Sequence, residues 1–286
     1  MLIANLLKLK NSTKSNQFMP HSERSKLEPL QFASTVQVEL YNHDHQSYYD
    51  DLAEERPLSL MVHGEAYAIF MRTPGDDQAL VCGFLYTESL IEDLDDISAL
   101  TPCTRSPIDR LHLSLESGVR LPSQNRRSFI SSSCGLCSLE DGETLNSEAI
   151  EQLESLSLSN KELQDLLEKF DHLDTIYART GGAHAAALFT KAGELLFIAA
   201  DIGRHNAVDK VIGMALLKGY EQFEELILMV SSRAGFEIVQ KAIKCKVGAL
   251  VTLGAASGGA HRLAQSYALA LYSFLRKHKV HRHQKS

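Results

Sequence analysis

Leu226-Ile-Leu-Met-Val-Ser-Ser-Arg-Ala-Gly-Phe-Glu-Ile-Val-Gln-Lys-Ala-Ile-Lys-Cys-Lys-Val-Gly-Ala-Leu-Val-Thr-Leu253 decides the fold. Leu226–Ser231 is an uninterrupted apolar run that reads as a buried strand, Gly235–Lys246 as a helix, and Ala249–Leu253 as another strand. A strand apolar on both sides needs cover on both faces. The alternation extends in both directions. Upstream, Ala185–Thr190 and Glu194–Ala200 are strands around a turn at Ala192-Gly193, and a helix runs from Asn206 to its stop at Gly219. That helix carries Val208, Val211, Ile212 and Ala215 on one face. Downstream, Ala260–Leu275 reads as a helix and a final strand, although periodicity alone would also allow one long helix. The fold class is therefore α/β, with a three-layer α/β/α core.

Ahead of this core the pattern differs. Residues 1–45 are a weakly patterned Ser/Asn/Lys-rich tail leading into a strand around Thr35–Leu40. Pro57–Met71 reads as two short strands joined at His63-Gly64-Glu65, and Asp76 or Asp77 can cap a helix burying Leu80, Phe84 and Leu85. With a strand at Arg110–Leu115, residues 46–128 form a smaller N-terminal α+β domain, leaving 129–286 for the core domain. Residues 138–175 are acidic and helical in character, and Ser159-Asn-Lys-Glu162 is a capping box.

The 286 residues carry a net charge of −7, which is unlike a general nucleic-acid binder. The sum hides an asymmetry: residues 1–200 carry −14 and residues 201–286 carry +7. A basic module suits an anionic ligand. No apolar run approaches the ~20 residues of a membrane helix, and the start offers no convincing cleavage site, so a cytoplasmic protein with no membrane partner is expected. Five cysteines, an odd number, argue against a disulfide scaffold.

Two local features could carry chemistry. Cys134-Gly-Leu-Cys137 places two thiols within one turn of each other in a Ser/Gly-rich loop, preceded by Arg126 and Arg127. Redox pair, half a zinc site and persulfide carrier all fit that spacing. Asp201-Ile-Gly-Arg-His-Asn206 lies between a strand's carboxyl end and a helix's amino end, where α/β proteins bind ligands. There Gly203 allows close approach, Arg204 offers a fork for phosphate, and His205 can bond a base, a pterin edge or a phosphate. Ser231–Gly235, with Arg233, and Gly254–Gly259 are further strand-to-helix junctions, and the paired Gly181 and Gly182 before His184 can form a backbone nest. Together they suggest a large anionic ligand rich in heteroatoms. His63 and Glu65 followed by Cys134 and Cys137 carry the residue types of a zinc deaminase, but the gap is long and His63-Gly64-Glu65 reads as a hairpin. No metal ligands are assigned. His278, His281 and His283 read as a solvated basic tail.

At these motifs the sequence resembles the FdhD family, sulfurtransferases required for formate dehydrogenase activity. The resemblance runs from about Glu55 to Lys279 on Met71-Arg-Thr-Pro-Gly-Asp-Asp77, Cys134-Gly-Leu-Cys137, Thr180-Gly-Gly-Ala-His-Ala-Ala-Ala-Leu-Phe189, Asp201-Ile-Gly-Arg-His-Asn-Ala-Val-Asp-Lys210 and Phe236-Glu-Ile-Val-Gln-Lys-Ala242. It implies a sulfur carrier that takes sulfane sulfur from a cysteine desulfurase as a persulfide. The sulfur then goes to the molybdenum cofactor, as bis-molybdopterin guanine dinucleotide, for formate dehydrogenase. Cys134 matches the persulfide-bearing cysteine and Cys137 its partner. The family's cofactor segment maps to Phe274, Leu275, Arg276, Lys277, His278 and Lys279.

The resemblance also implies a cytidine-deaminase-like core and a homodimer. Ser138, Ser232, Gly235 and Gly254–Ala260 depart from the family's usual residues. Two other readings compete: a non-enzymatic chaperone that binds the cofactor without needing a thiol, and a zinc deaminase-like enzyme.

Overall fold

The computed structural model describes residues 34–103, 108–122, 129–130, 152–173 and 175–283. Strands β1 (Thr35–Tyr41) and β2 (Ser47–Ala53) pair antiparallel as a separate ribbon. β3 (Arg56–Val62) and β4 (Glu65–Arg72) form the expected hairpin, turning at His63 (φ 51°) and Gly64 (φ 84°). Two central residues at positive φ match the twist of the flanking strands. Helix α1 (Asp77–Thr87) follows, then a 3-10 turn (Leu94–Asp96), β5 (Ile97–Pro102), β6 (Asp109–Leu115) and the short β7 (Phe129–Ile130). The second sheet runs β5-β6-β3-β4-β7.

Next come α2 (Asn160–Asp171), α3 (Ile176–Thr180), β8 (His184–Thr190), β9 (Leu195–Asp201) and α4 (Arg204–Leu217). The chain ends with β10 (Leu226–Val230), α5 (Phe236–Lys244), β11 (Ala249–Thr252), α6 (Gly258–Ser266), β12 (Ala270–Arg276) and β13 (Lys279–Arg282). The largest sheet runs β13-β12-β11-β10-β8-β9, with β10, β11 and β12 parallel. Its side chains alternate as the strand period requires. Leu228, Val230, Leu250 and Leu271 face α4, α5 and α6, whereas Ile227, Met229, Val251 and Tyr272 face Leu163, Leu166 and Phe170 of α2. The architecture is mixed α/β, with helices against both faces of this sheet. No helix among the described residues is long and apolar enough to cross a membrane.

Several expectations are corrected. Asp76 and Asp77 do not cap α1: Asp76 sits at φ 54° with no side-chain cap bond, and the Asp77 carboxylate goes to Arg72. That helix is also not buried on one face only, since Ala79 to Leu85 are all buried between the second sheet and α4. Residues 152–158 are not helical; regular structure begins at Asn160, where the capping box forms as expected, Ser159 Oγ accepting from Glu162 N (3.2 Å) and Ser159 N donating to Glu162 (2.7 Å). α4 starts at Arg204 rather than Asn206. The C-terminal histidines are solvated only in part: His278 and His281 are exposed, but β13 pairs with β12, His283 Nε2 lies 2.7 Å from the buried Ser273 Oγ, and His261 and His283 face each other with Nδ1 atoms 3.0 Å apart.

α1 and α4 touch backbone to backbone. A Cβ added to Gly83 would lie 1.8 Å from Asp209 O, and one added to Gly213 would lie 1.9 Å from Ala79 O. Beside this contact Lys241 Nζ, fully buried, is held by Thr87 Oγ1 (2.8 Å), Glu88 (2.5 Å) and Asp209 (2.9 Å). The glycines and this ion cluster join the second sheet to the core.

Candidate functional site

The parallel strands β10, β11 and β12 all deliver their carboxyl ends to one sheet edge, where β8 begins and β9 ends. The exits are tied together. Ser231 N donates to Ala185 O (2.9 Å) and Ala185 N to Ser231 Oγ (3.0 Å), so the loop after β10 is bonded to the start of β8. Gly254 N donates to Ser232 O (2.9 Å), and Ala234 and Ala256 form a parallel bridge. A Cβ on Gly254 would lie 2.6 Å from Arg233 N and Cα, so only glycine allows this approach of the two loops. All three expected strand-to-helix junctions therefore lie along one edge.

Asp201 and Asn206 turn their polar groups into the protein. The Asp201 carboxylate is fully buried against Lys210 Nζ (2.7 Å) and accepts from Thr73 N (3.1 Å), Gly203 N (2.8 Å) and Asn206 Nδ2 (2.9 Å). Asn206 Nδ2 also donates to Met71 O, Lys210 Nζ to Thr73 O, and Ile202 N to Thr73 Oγ1. These bonds set the Gly203–His205 turn on the end of β4. Arg72, fully buried, stiffens that end through two bonds to Asp77 and one to Asp109 (2.9 Å). Thr73, Lys210, Arg72 and Ser231 are positioning residues that sequence reasoning did not single out individually. Their partners lie as far as 137 residues away along the chain, so only the Arg-Thr and Asp-Lys motifs themselves could have pointed to them.

Two imidazoles lie at this edge. His205 is buried, and its Nε2 has no hydrogen-bond partner; Glu237 Oε2 stands 3.8 Å away. Burial, then Arg204, Lys241 and His184, push its pKa down to about 3. His184 is half-buried, with Nδ1 3.5 Å from Ser231 Oγ, and burial together with Arg204 and Arg233 lowers its pKa against the pull of Asp201. Both rings are thus neutral near pH 7 and can donate or accept at a heterocycle edge. Arg204 is partly exposed and Arg233 exposed beside them.

The buried ring also makes a prediction about acid stability. Because its folded-state pKa lies below the ordinary 6.5, the native protein binds fewer protons than the unfolded chain between about pH 6.5 and 3. Stability therefore falls as pH drops through that window, by up to ~1.4 kcal/mol per pH unit for this one group. His205→Gln, which cannot titrate, is expected to flatten the plot of melting temperature against pH between 6.5 and 4. An unchanged slope by calorimetry would show that His205 is not the group responsible.

The Phe274–Lys279 segment closes the edge beyond β11. Phe274 sits at φ 55°, and its ring stacks on His281 (5.3 Å) with Arg276 and Lys279 each 4.9 Å from its centroid. Arg276 Nη1 donates to Leu253 O and Leu275 O, Leu275 is buried, and Lys277 and His278 form the exposed hairpin turn to β13. Gly181 (φ 64°) and Gly182 are exposed ahead of His184, and Gly182 N donates to Thr180 Oγ1 (3.1 Å). Cys134 and Cys137, with Arg126, Arg127 and Ser138, lie outside the described residues.

Residues 53–285 match the FdhD/NarQ family. The chain is 38% identical to the sulfur carrier protein FdhD of Streptomyces avermitilis over 238 residues, covering 79% of this chain and 84% of that protein. It is 41% identical to the sulfur carrier protein FdhD of Sulfolobus acidocaldarius over 228 residues, covering 79% and 86%. Its fold is similar to a crystal structure from Desulfotalea psychrophila described as a formate dehydrogenase accessory protein, with a TM-score of 0.64 at 18% identity over 87% of this chain and 95% of that one. With its motifs, its glycine-tied loop edge and these relatives in agreement, the chain belongs to the FdhD/NarQ family.

Proposed function

We propose that this protein is a sulfur carrier in formate dehydrogenase maturation. In this reading Cys134 accepts sulfane sulfur from a cysteine desulfurase as a persulfide, and Cys137 assists in the same loop. The sulfur is passed to the molybdenum cofactor, in its bis-molybdopterin guanine dinucleotide form, as the acceptor substrate. The protein acts as a cytoplasmic homodimer of chains, each with a small α+β domain (46–128) and a cytidine-deaminase-like core (129–286).

The observation that carries this reading is likeness to relatives named as sulfur carriers over most of the chain. The edge supports it chemically. Arg204, Arg233 and Arg276, with the free N–H groups of the first turn of α4, suit the pyrophosphates of such a substrate. The orphaned Nε2 of His205 and the neutral His184 suit an uncharged pterin or base edge, and the Phe274 ring, stacked on His281, holds Arg276 and Lys279 beside it. Gly181 and Gly182 keep backbone accessible, whereas Gly203, expected to allow close approach of a ligand, is buried with its N–H given to Asp201, and Asp201 and Asn206 hold the turn in place. Leu275 anchors the segment carrying Lys277, His278 and Lys279.

Mass spectrometry after incubation with a cysteine desulfurase and cysteine is expected to find one added sulfur on Cys134. In cells, Cys134→Ala is expected to reduce formate dehydrogenase activity to background. Failure to load, or full activity from Cys134→Ala, refutes the reading. Full support by the double Cys→Ala variant would instead identify a chaperone that needs no thiol.

A further inference from the structure

The β1–β2 ribbon turns its apolar side away from the rest of the molecule. Its register pairs Val36 with Leu52, Val38 with Asp50 and Leu40 with Tyr48, so these side chains share one face. The opposite face pairs Thr35 with Ala53, Gln37 with Asp51 and Glu39 with Tyr49. That second, more polar face is the one that meets the molecule: a Cβ on Gly182, just ahead of β8, would lie 3.8 Å from the Ala53 methyl. Val36 and Leu52, neighbours of Ala53 on the apolar face, are each 42% exposed, and Tyr48 is 46% exposed. An antiparallel sheet ordinarily packs its apolar face and gives the polar one to water. A two-stranded ribbon is also marginal alone in water. The reversed orientation calls for a cover over Val36, Val38, Leu40, Tyr48 and Leu52.

Charge selects a basic cover. Residues 34–54 carry Glu39, Asp44, Asp50, Asp51 and Glu54 and no Lys or Arg. Asp44 is met by His43 (3.3 Å), and Asp50 accepts from Asp51 N (2.9 Å), a bond that leaves the carboxylate charge in place. A second ribbon stacked face to face on this one would bring like charges together, which opposes that pairing of two copies.

The chain itself supplies a segment with both properties. Met1-Leu-Ile-Ala-Asn-Leu-Leu-Lys-Leu-Lys10 offers Leu2, Ile3, Leu6, Leu7 and Leu9 beside Lys8 and Lys10, and no acid precedes Glu23. It lies outside the described residues, as do 104–107, 123–128 and 131–151. Neither 104–107 nor 123–128 has a large apolar side chain, and 131–151 carries five acids and no Lys or Arg. Residues 11–33 join the segment to β1, and a linker of that length extends to at most about 76 Å, against ~24 Å for a seven-residue strand. Attachment to the same chain also raises the local concentration of the segment at the ribbon. The family match begins at residue 53, so segment and ribbon both stand ahead of the shared fold.

We propose that residues 2–10 dock on the apolar face of the β1–β2 ribbon of their own chain. The aliphatic side chains meet the Val36–Leu52 face, and Lys8 and Lys10 meet the ribbon's carboxylates. The contact involves neither Cys134 nor Arg204 or His205, so it does not depend on the sulfur-carrier reading.

Photocross-linking of the full-length chain tests this. A p-benzoylphenylalanine probe in place of Val38 is expected to give an adduct with the mass of a single chain, which peptide mapping places in residues 1–10. The same probe in place of Gln37, on the opposite face, is expected to yield about tenfold less. Leu2→Asp with Leu6→Asp in the Val38-probe chain is expected to lower the yield about tenfold, and Lys8→Glu with Lys10→Glu about threefold or more. A covalent dimer would identify a second copy as the cover and overturn the proposal. So would no adduct, an adduct to any other part of the chain, equal yields from the two probe positions, or yields that neither pair of substitutions changes. The comparison of the two probe positions leaves residues 1–10 intact, so it remains decisive even where a substituted chain misfolds.

Discussion

Gly213→Ala is expected to lower the melting temperature by on the order of 10 °C, or to prevent folding. In an exposed helix the same change stabilises by roughly 0.5–1 kcal/mol, because alanine loses less backbone entropy than glycine. Here the added methyl would lie 1.9 Å from Ala79 O and 2.9 Å from Gly83 N. Those are backbone atoms of another helix, so no rotamer change relieves the overlap. α1 cannot simply retreat, since its other faces bury Leu80, Phe84 and Leu85 against the second sheet. α4 cannot retreat either, with Val208, Val211 and Ile212 packed on the core sheet. Forced separation would also stretch the buried contacts of Lys241 with Thr87 and Asp209, which bridge the same two helices. Gly259→Ala is the control. It too lies in a helix, but its Cβ would meet Phe236 at an ordinary 3.6 Å, so it should be neutral or slightly stabilising. Equal melting temperatures for the two variants would contradict the close approach.

These residues also show where sequence legibility ends. The β10–α5–β11 segment is legible because each element carries its own period and its own punctuation, and the Ser159–Glu162 box is a purely local set of bonds. The strand-to-helix junctions follow from that order, so the order of elements alone locates the candidate edge. β2 is different: Ser47-Tyr-Tyr-Asp-Asp-Leu-Ala53 has no apolar alternation and takes its extended form from pairing with β1. The all-round burial of α1 is equally hidden, because it depends on two glycines 130 residues apart meeting in space. The inward orientation of Asp201 has the same origin, since Thr73, which donates to it, stands 128 residues away. A local motif can show that a turn sits at a sheet edge. Which of its side chains face a ligand and which hold the turn is decided by tertiary partners.

Lys210→Met should be the most damaging single change near that edge. It would leave the Asp201 carboxylate, fully buried, without its counter-charge, and breaking one partner of a buried ion pair costs ~3–5 kcal/mol. Lys210 also donates to Thr73 O, so an acceptor inside the fold would be stranded as well. Asp201→Asn keeps an amide oxygen to accept from Gly203 N and Asn206, but its amide nitrogen would face the donors Thr73 N and Lys210, and the Lys210 ammonium would then be the unpaired charge. The double variant Asp201→Asn, Lys210→Met removes both charges and should recover a large part of the single-variant loss. A double-mutant cycle by urea unfolding measures this directly, and simple additivity of the two losses would show that the pair is not coupled. The same cycle separates folding from site geometry. Asp201 fixes Gly203 N at the N-terminus of α4, and Thr73 fixes Ile202 N, so the turn carrying Arg204 and His205 depends on this cluster. In the double variant, stability should return while affinity for inorganic pyrophosphate at Arg204 stays reduced, because the removed charges no longer hold the turn against β4. Full return of both would mean that the glycine turn keeps its shape without the ion pair, and that Asp201 and Lys210 serve stability alone.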